Sequence, residues 1–189
     1  MNPLILSKLF LHHSGWKYVA HSHLSVMKLY LLYVVPLSLI PPLMVYFAGT
    51  MYVDQIFPVL SANKLQMIVV VFFLVELAIV PIMGWVIQAL GEVAGIKPHY
   101  REAFTLAAVA PTPLWLAPLF LFVPNLLLNI TVTSVAMIGS ASVIYYAVPA
   151  LFHLKDKGRS LLVSGSILAA GLVAWVFLMV LTLLTWSYL

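Results

Sequence analysis

Glu76 is the residue best placed to do chemistry in this chain. It lies midway along Leu65–Leu90, a stretch that is otherwise nearly all apolar and long enough to cross a bilayer. The carboxyl group therefore falls near the membrane midplane, where a charge costs about 2.5–3.5 kcal/mol even on insertion scales. A group at that depth is paired, protonated or functional. A second polar centre falls at matching depth: Thr112, midway along a later apolar stretch, stands between Pro111 and Pro113. Each interior proline removes a backbone donor and frees the carbonyl four residues earlier. Pro81 frees the carbonyl of Leu77, beside Glu76, and Pro113 frees that of Val109. The Pro113 ring also pushes Thr112 out of helical geometry, so Ala-Pro-Thr-Pro predicts a break in the middle of that stretch.

This constellation has three uses. A protonated Glu76 can donate to a freed carbonyl or to the Thr112 hydroxyl, which makes a structural clasp. Broken helices with polar groups at the midplane are also how transporters build substrate and ion sites, so Glu76, Thr112 and the freed carbonyls around Pro81, Pro111 and Pro113 could line a proton- or ion-linked site. A lipid-headgroup or subunit contact is the third use. A continuous polar cavity reaching Glu76 would favour transport; a tightly packed, dry interior would favour a scaffold.

Other candidate groups lie nearer the surface. His12, His13, His21 and His23 form two pairs that could bind a transition metal such as zinc or nickel. No carboxylate or cysteine accompanies them in residues 1–28, and interfacial histidines beside anionic lipid account for them more simply; no metal or other cofactor is expected. Lys97 and Arg101, with Glu92, His99 and Glu102, occupy one loop, and Lys155, Lys157 and Arg159, with Asp156, occupy another. Mixed-charge loops are usually solvated or ion-paired, but these two share one side of the membrane and together form a basic surface for anionic headgroups or an unknown membrane-protein partner. Cysteine is absent, which excludes disulfides, thiolate zinc sites and thiol nucleophiles. No G-x-S-x-G, H-E-x-x-H or phosphate-binding glycine loop occurs, and Asp54 lies in a different depth zone from Glu76, a poor acid–base pairing. The expectation is a protein that is not an enzyme.

The elements that hold these groups follow from composition. Of 189 residues, 64% are hydrophobic and only 7% charged, values typical of polytopic membrane proteins. The fold expected is an all-α integral membrane protein with five transmembrane helices, at about 29–47, 65–90, 103–123, 130–151 and 161–186, forming one domain over 29–189. Residues 1–28 precede it as an amphipathic interfacial segment: Leu4, Ile5, Leu9 and Phe10 mark one helix face, Trp16 and Tyr18 suit the headgroup layer, and Lys8, Lys17 and Lys28 can meet anionic lipid. No cleavable signal peptide is expected, because Pro3–Leu11 is short and no small-residue cleavage site follows it. Of the nine Lys and Arg residues, all but Lys64 fall in the N-terminal segment and the loops after spans two and four. The N-terminus is therefore read as inside and the C-terminus as outside. The net charge of +4 is explained by these flanking cations and does not suggest nucleic acid.

Three further prolines, Pro36, Pro41 and Pro42, lie in span one. The short connection after span three makes spans three and four antiparallel neighbours. Small residues mark span four (Ala136, Gly139, Ser140, Ala141, Ser142) and recur every four residues in span five (Ser166, Ala170, Ala174). Such stripes let helices approach closely. Packing between spans four and five is the simpler reading, and a homodimer seam is the alternative.

The order of local patterns carries a family resemblance. S-K-L-F and then G-W-K precede the spans; G-I-K-P-H-Y-R-E-A-F-T-L leads into A-P-T-P-L-W-L; span four ends at Y-Y-A-V-P-A-L-F, and a basic loop precedes the last span. This order and spacing resembles the bacterial branch of the Yip family, the Ypt/Rab-interacting proteins, over nearly the whole chain. Tyr100–Leu106 and Pro111–Pro113 are the positions that match its pattern. The resemblance implies five spans, a cytosolic N-terminus and residence in the bacterial inner (cytoplasmic) membrane as a multi-pass protein. Eukaryotic relatives are linked to Rab-type GTPases, membrane traffic and membrane shaping. This chain lacks the long acidic N-terminal domain that could engage such partners, so the Rab role is not carried over. The function expected is non-enzymatic organisation of membrane lipids or partner proteins, as an oligomer. The alternative is a small transporter or channel with its site between spans two and three.

Overall fold

The computed structural model describes residues 25–52 and 62–188. The proposed amphipathic segment, with His12, His13, His21 and His23, lies outside the described residues, as does Asp54. Every regular element among the described residues is helical. Five of the helical stretches are long and apolar enough to cross a membrane: Val26–Met51, Lys64–Val93, Tyr100–Phe122, Leu126–Leu151 and Lys157–Thr185. Most extend a few residues past the apolar runs read from the sequence. Hydropathy marks the edge of the hydrocarbon, whereas backbone hydrogen bonding continues through the interface until a cap stops it.

Prolines shape spans one and three. In span one, Pro36 has no N–H to offer, and the turn before it, Tyr30–Val34, is π-helical; such wide turns accommodate an interrupted ladder. A new helix, Ile40–Met51, then begins with Pro41 and Pro42 in its first turn, where a missing N–H costs nothing. Span three runs as an α-helix over Tyr100–Val109, turns at Ala110–Pro111, resumes over Thr112–Leu116 and tightens into a 3₁₀ helix over Ala117–Phe122. The break falls at the Ala-Pro-Thr-Pro segment, but Thr112 is not pushed out of helical geometry as expected: it opens the second helix, with Pro113 in the first turn where its missing N–H is tolerated.

The connections at one end are closed by specific caps. Span two ends in a Schellman motif: Ile96 N–H donates to the Gly91 carbonyl at 2.8 Å and Gly95 N–H to that of Glu92 at 2.9 Å. Gly95 takes the left-handed φ of 70° that this motif requires. Span three opens on a capping box between His99 and Glu102. The Arg159 guanidinium, at the start of span five, donates to the Ala94 carbonyl from Nε at 3.0 Å and also from Nη2. That contact ties the loop after span two to the loop after span four.

The hydrophobic core gathers at this same end. It takes Val34 from span one, Ile87 from span two, Phe104 and Leu106 from span three, Val148 and Leu151 from span four, and Val163 and Ile167 from span five. Two glycines mark close approaches around span three. A Cβ added at Gly84 would lie 3.3 Å from Phe104 Cα, and one at Gly139 would lie 3.4 Å from the Pro113 ring. Spans two and three thus meet nearly backbone to backbone, and span four closes over the break in span three. The small-residue stripe of span five behaves differently. Ser166 is exposed and Ala170 and Ala174 only half-buried, because span five faces its neighbours through Val163, Ser164 and Ile167 instead.

The close approach at Gly84 can be tested directly. Gly84→Leu lowers stability by about 1–3 kcal/mol through overpacking. Gly165→Leu, where an added Cβ meets nothing within 4 Å, changes it by no more than about 0.5 kcal/mol. Thermal unfolding of the purified variants in detergent, followed by tryptophan fluorescence, separates the two; equal midpoints would refute the contact.

Candidate functional site

Span two carries Glu76 into the interior of the bundle, where it is 7% exposed. Its partner is the indole of Trp115: Nε1 donates to Glu76 Oε1 at 3.1 Å. Trp115 is 3% exposed and sits on the short helix Thr112–Leu116 immediately after the break, so the break sets where the indole points. The other carboxyl oxygen, Oε2, is buried and has no hydrogen-bond partner among the described residues.

Thr112 belongs to a separate network. Its hydroxyl donates to the Val109 carbonyl at 2.7 Å, the acceptor freed by Pro113. A threonine hydroxyl has one proton, so in the 2.8 Å contact between Tyr33 and Thr112 the tyrosine is the donor. The carbonyl freed by Pro81 is met in the same manner: Tyr30 donates its phenolic proton to Leu77 O at 3.0 Å, and Tyr100 donates to the Pro81 carbonyl itself at 3.3 Å. Hydroxyls therefore take up the acceptors that the sequence marks as freed, and Glu76 bonds neither to them nor to Thr112. The two mid-depth polar centres do not converge. Span three turns Thr112 toward span one and Trp115 toward Glu76.

Glu76 faces a cavity of about 410 Å³ lined by all five spans, including Pro41, Phe72, Pro111, Met137, Ile167 and Trp175. Besides Glu76 and the tryptophans, only Thr133, Ser140 and Thr182 bring polar groups to its wall. Thr182 bonds back to its own helix at Leu178 O, whereas Ser140 Oγ is buried without a partner among the described residues. The cavity borders the core directly, since Ile87, Trp115, Ile144 and Ile167 belong to both. It is neither the polar channel that transport would want nor the dry interior that a pure scaffold would have. A lone carboxyl group against apolar walls can accept a hydrogen bond or hold a proton. Acid–base chemistry would need a second titratable group in reach, and the hydrogen bonds of Glu76 show none.

The loop cations lie at the other end. Lys97, Lys155 and Lys157 are exposed, Arg101 is half-buried, and Arg159 is engaged with Ala94. A shallower cleft of about 260 Å³ runs beside them, lined by Tyr145, Pro149, Lys155, Asp156 and Lys157 among others. No group of three or more potential metal ligands occurs among the described residues.

Sequence reading missed Trp115 and Ser140. A signal for the first was available: tryptophan favours the membrane interface, so an indole at mid-span, three residues past the break, implies a buried acceptor for its N–H. For Ser140 the sequence offered only a small residue.

Comparison with known proteins adds three findings. The model of the Yip1 domain matches residues 9–178. Two curated relatives, the inner membrane protein YohC of Escherichia coli K12 and that of Escherichia coli O6:H1, are each 31% identical over 120 residues, which cover 63% of this chain. The match spans 60% of the length of each relative. No solved structure matches the chain significantly.

The Trp115–Glu76 bond predicts a dependence of one side chain on the other. Trp115→Phe leaves the carboxyl group wholly unpaired and costs about 1–3 kcal/mol in the wild-type background. The same change in a Glu76→Leu background costs measurably less, since nothing polar is then orphaned. A double-mutant cycle on unfolding in detergent reads the difference, and additive effects would remove the bond from the account.

Proposed function

The chain belongs to the Yip1 domain family, and from that premise we propose that it is a non-enzymatic, multi-pass protein of the bacterial inner membrane that organises lipids and partner proteins. It acts as an oligomer, with its N-terminus and the two basic loops on the cytoplasmic side. The observation that supports this reading over transport is the fate of the polar groups at membrane depth. Tyr30, Tyr33, Tyr100 and Thr112 are spent on backbone carbonyls and on one another. The cavity wall is left apolar, and hydrated ions do not cross apolar walls readily. The exposed Lys97, Lys155 and Lys157 support the lipid part of the reading, since each lysine near an anionic surface contributes about 1 kcal/mol.

Two experiments bear on this reading. Protein reconstituted in liposomes of phosphatidylethanolamine and phosphatidylglycerol gives no proton or cation flux above empty vesicles, and Glu76→Gln changes nothing; a flux abolished by that substitution would make the protein a transporter. In the same membranes, spin-labelled phosphatidylglycerol is enriched around the wild type. The enrichment falls in the Lys97→Gln, Lys155→Gln, Lys157→Gln triple variant and with added salt. Equal enrichment in both proteins would remove the basic face from the function.

Orientation is accessible because the chain contains no cysteine. An impermeant thiol reagent applied to intact spheroplasts labels Pro124→Cys and spares Lys155→Cys until the membrane is opened. The reverse pattern would invert the topology.

A further inference from the structure

Native proteins leave few buried polar atoms without a hydrogen bond, and inside a bilayer no bulk water is at hand to supply the missing partner. Glu76 Oε2 and Ser140 Oγ are two such atoms. Each residue is 7% exposed, each atom lacks a partner among the described residues, and both residues line the same cavity from different spans. Hydroxyls of Tyr30, Tyr33, Tyr100, Thr112 and Thr182 are all bonded; a third orphan, Ser164 Oγ, lies off the cavity wall, so the inference rests on the two that share one cavity. The cavity volume of about 410 Å³ falls within the range of ~300–1,000 Å³ common to small-molecule sites, which combine apolar walls with a few polar anchors.

We propose that this cavity binds a lipid-soluble alcohol, an apolar body carrying a single hydroxyl that Glu76 and Ser140 recognise once their side chains rotate toward it, since both atoms are covered in the unliganded fold. The chemistry of the two anchors selects that class. A carboxyl oxygen wants a donor, and a serine hydroxyl can donate or accept; a hydroxyl offers one donor and two acceptor sites. A pure hydrocarbon would fill the walls and leave both atoms unmet. An amine is ionised at neutral pH and would carry a charge into apolar walls. A phospholipid would have to draw its headgroup away from the interface to reach Glu76. The inference goes beyond the organising role and stands whether or not the basic loops gather lipid.

Two tryptophans make the site readable, because Trp115 and Trp175 both line it and bromine quenches indole fluorescence at short range. Full-length protein in nanodiscs of phosphatidylethanolamine and phosphatidylglycerol is titrated with bromododecanol and, in parallel, with bromododecane. The expected result is saturable quenching by the alcohol above the linear background that lipid-facing Trp85 contributes. Losing the hydrogen bond to the carboxyl group in Glu76→Leu raises the half-saturation about tenfold. Ser140→Ala raises it to a lesser degree; because Ser140 Oγ has no hydrogen bond among the described residues, this variant remains decisive if Glu76→Leu does not fold. Gly171→Phe removes the saturable component. Gly171 lines the cavity and a Cβ there meets nothing within 4 Å, so the ring can enter the space without displacing a neighbour. Linear quenching that is identical in all four proteins means simple partitioning into the bilayer and overturns the proposal. Saturation by bromododecane at the same concentration as bromododecanol overturns the assignment to an alcohol. Neither readout depends on ion flux or on enrichment of anionic lipid, so failure here is distinguishable from failure of the organising reading.

Discussion

A backbone carbonyl without a partner in hydrocarbon is the constraint around which this bundle is arranged. Prolines in spans one, two and three interrupt the helical ladder at membrane depth, and lipid offers no donor to repair it. Repair comes from hydroxyl groups. Tyr30 reaches across to Leu77 O, Tyr100 to Pro81 O, and Thr112 folds back onto Val109 O while accepting from Tyr33. Three of these four residues lie on a different span from the carbonyl or hydroxyl they serve. The repairs therefore also fix how spans one, two and three sit against one another. The π-helical turn Tyr30–Val34 contributes by carrying both Tyr30 and Tyr33.

The break in span three has a second consequence. Restarting the helix at Thr112 turns Trp115 toward span two, where it meets Glu76, and leaves the 3₁₀ segment beyond it to pack on the end of span one. Phe47 and Phe122 stack there edge to face at 4.8 Å, and Tyr52 donates to Phe122 O at 3.0 Å. One end is a close-packed core, drawn together by Gly84 against Phe104 and latched by Arg159 on Ala94. The cavity opens beside this core and shares Ile87 and Ile167 with it, with Glu76 as the one carboxyl group on its wall among the described residues.

Much of this was legible in the residues. Five apolar runs appear as five helices, because hydrocarbon thickness and backbone satisfaction leave few alternatives to a run of that length and composition. The break at Ala110–Pro111 goes with the missing N–H groups of Pro111 and Pro113, a covalent property that does not depend on the rest of the fold. The matched depths of Glu76 and Thr112 were also visible, since depth is position along a span. Whether the two touch was not: depth says nothing about the direction a side chain takes around its helix axis. That direction depends on the bend at Pro111 and on the register of span three against span two. The stripe Ser166–Ala170–Ala174 shows the same limit, for four-residue spacing marks a face without saying what it faces.

By itself, then, the sequence determined the class, the number of helices, the place of the break and the acceptors that the prolines release. Each of these is a consequence of local covalent geometry or of the solvent. Only the tertiary structure decided that a tyrosine from another span meets the Leu77 acceptor, that Trp115 and not Thr112 holds Glu76, and that Ser140 Oγ, on a residue lining the same cavity, has no partner among the described residues. Those outcomes depend on rotation and translation of whole helices, which packing sets collectively and no single stretch of residues encodes.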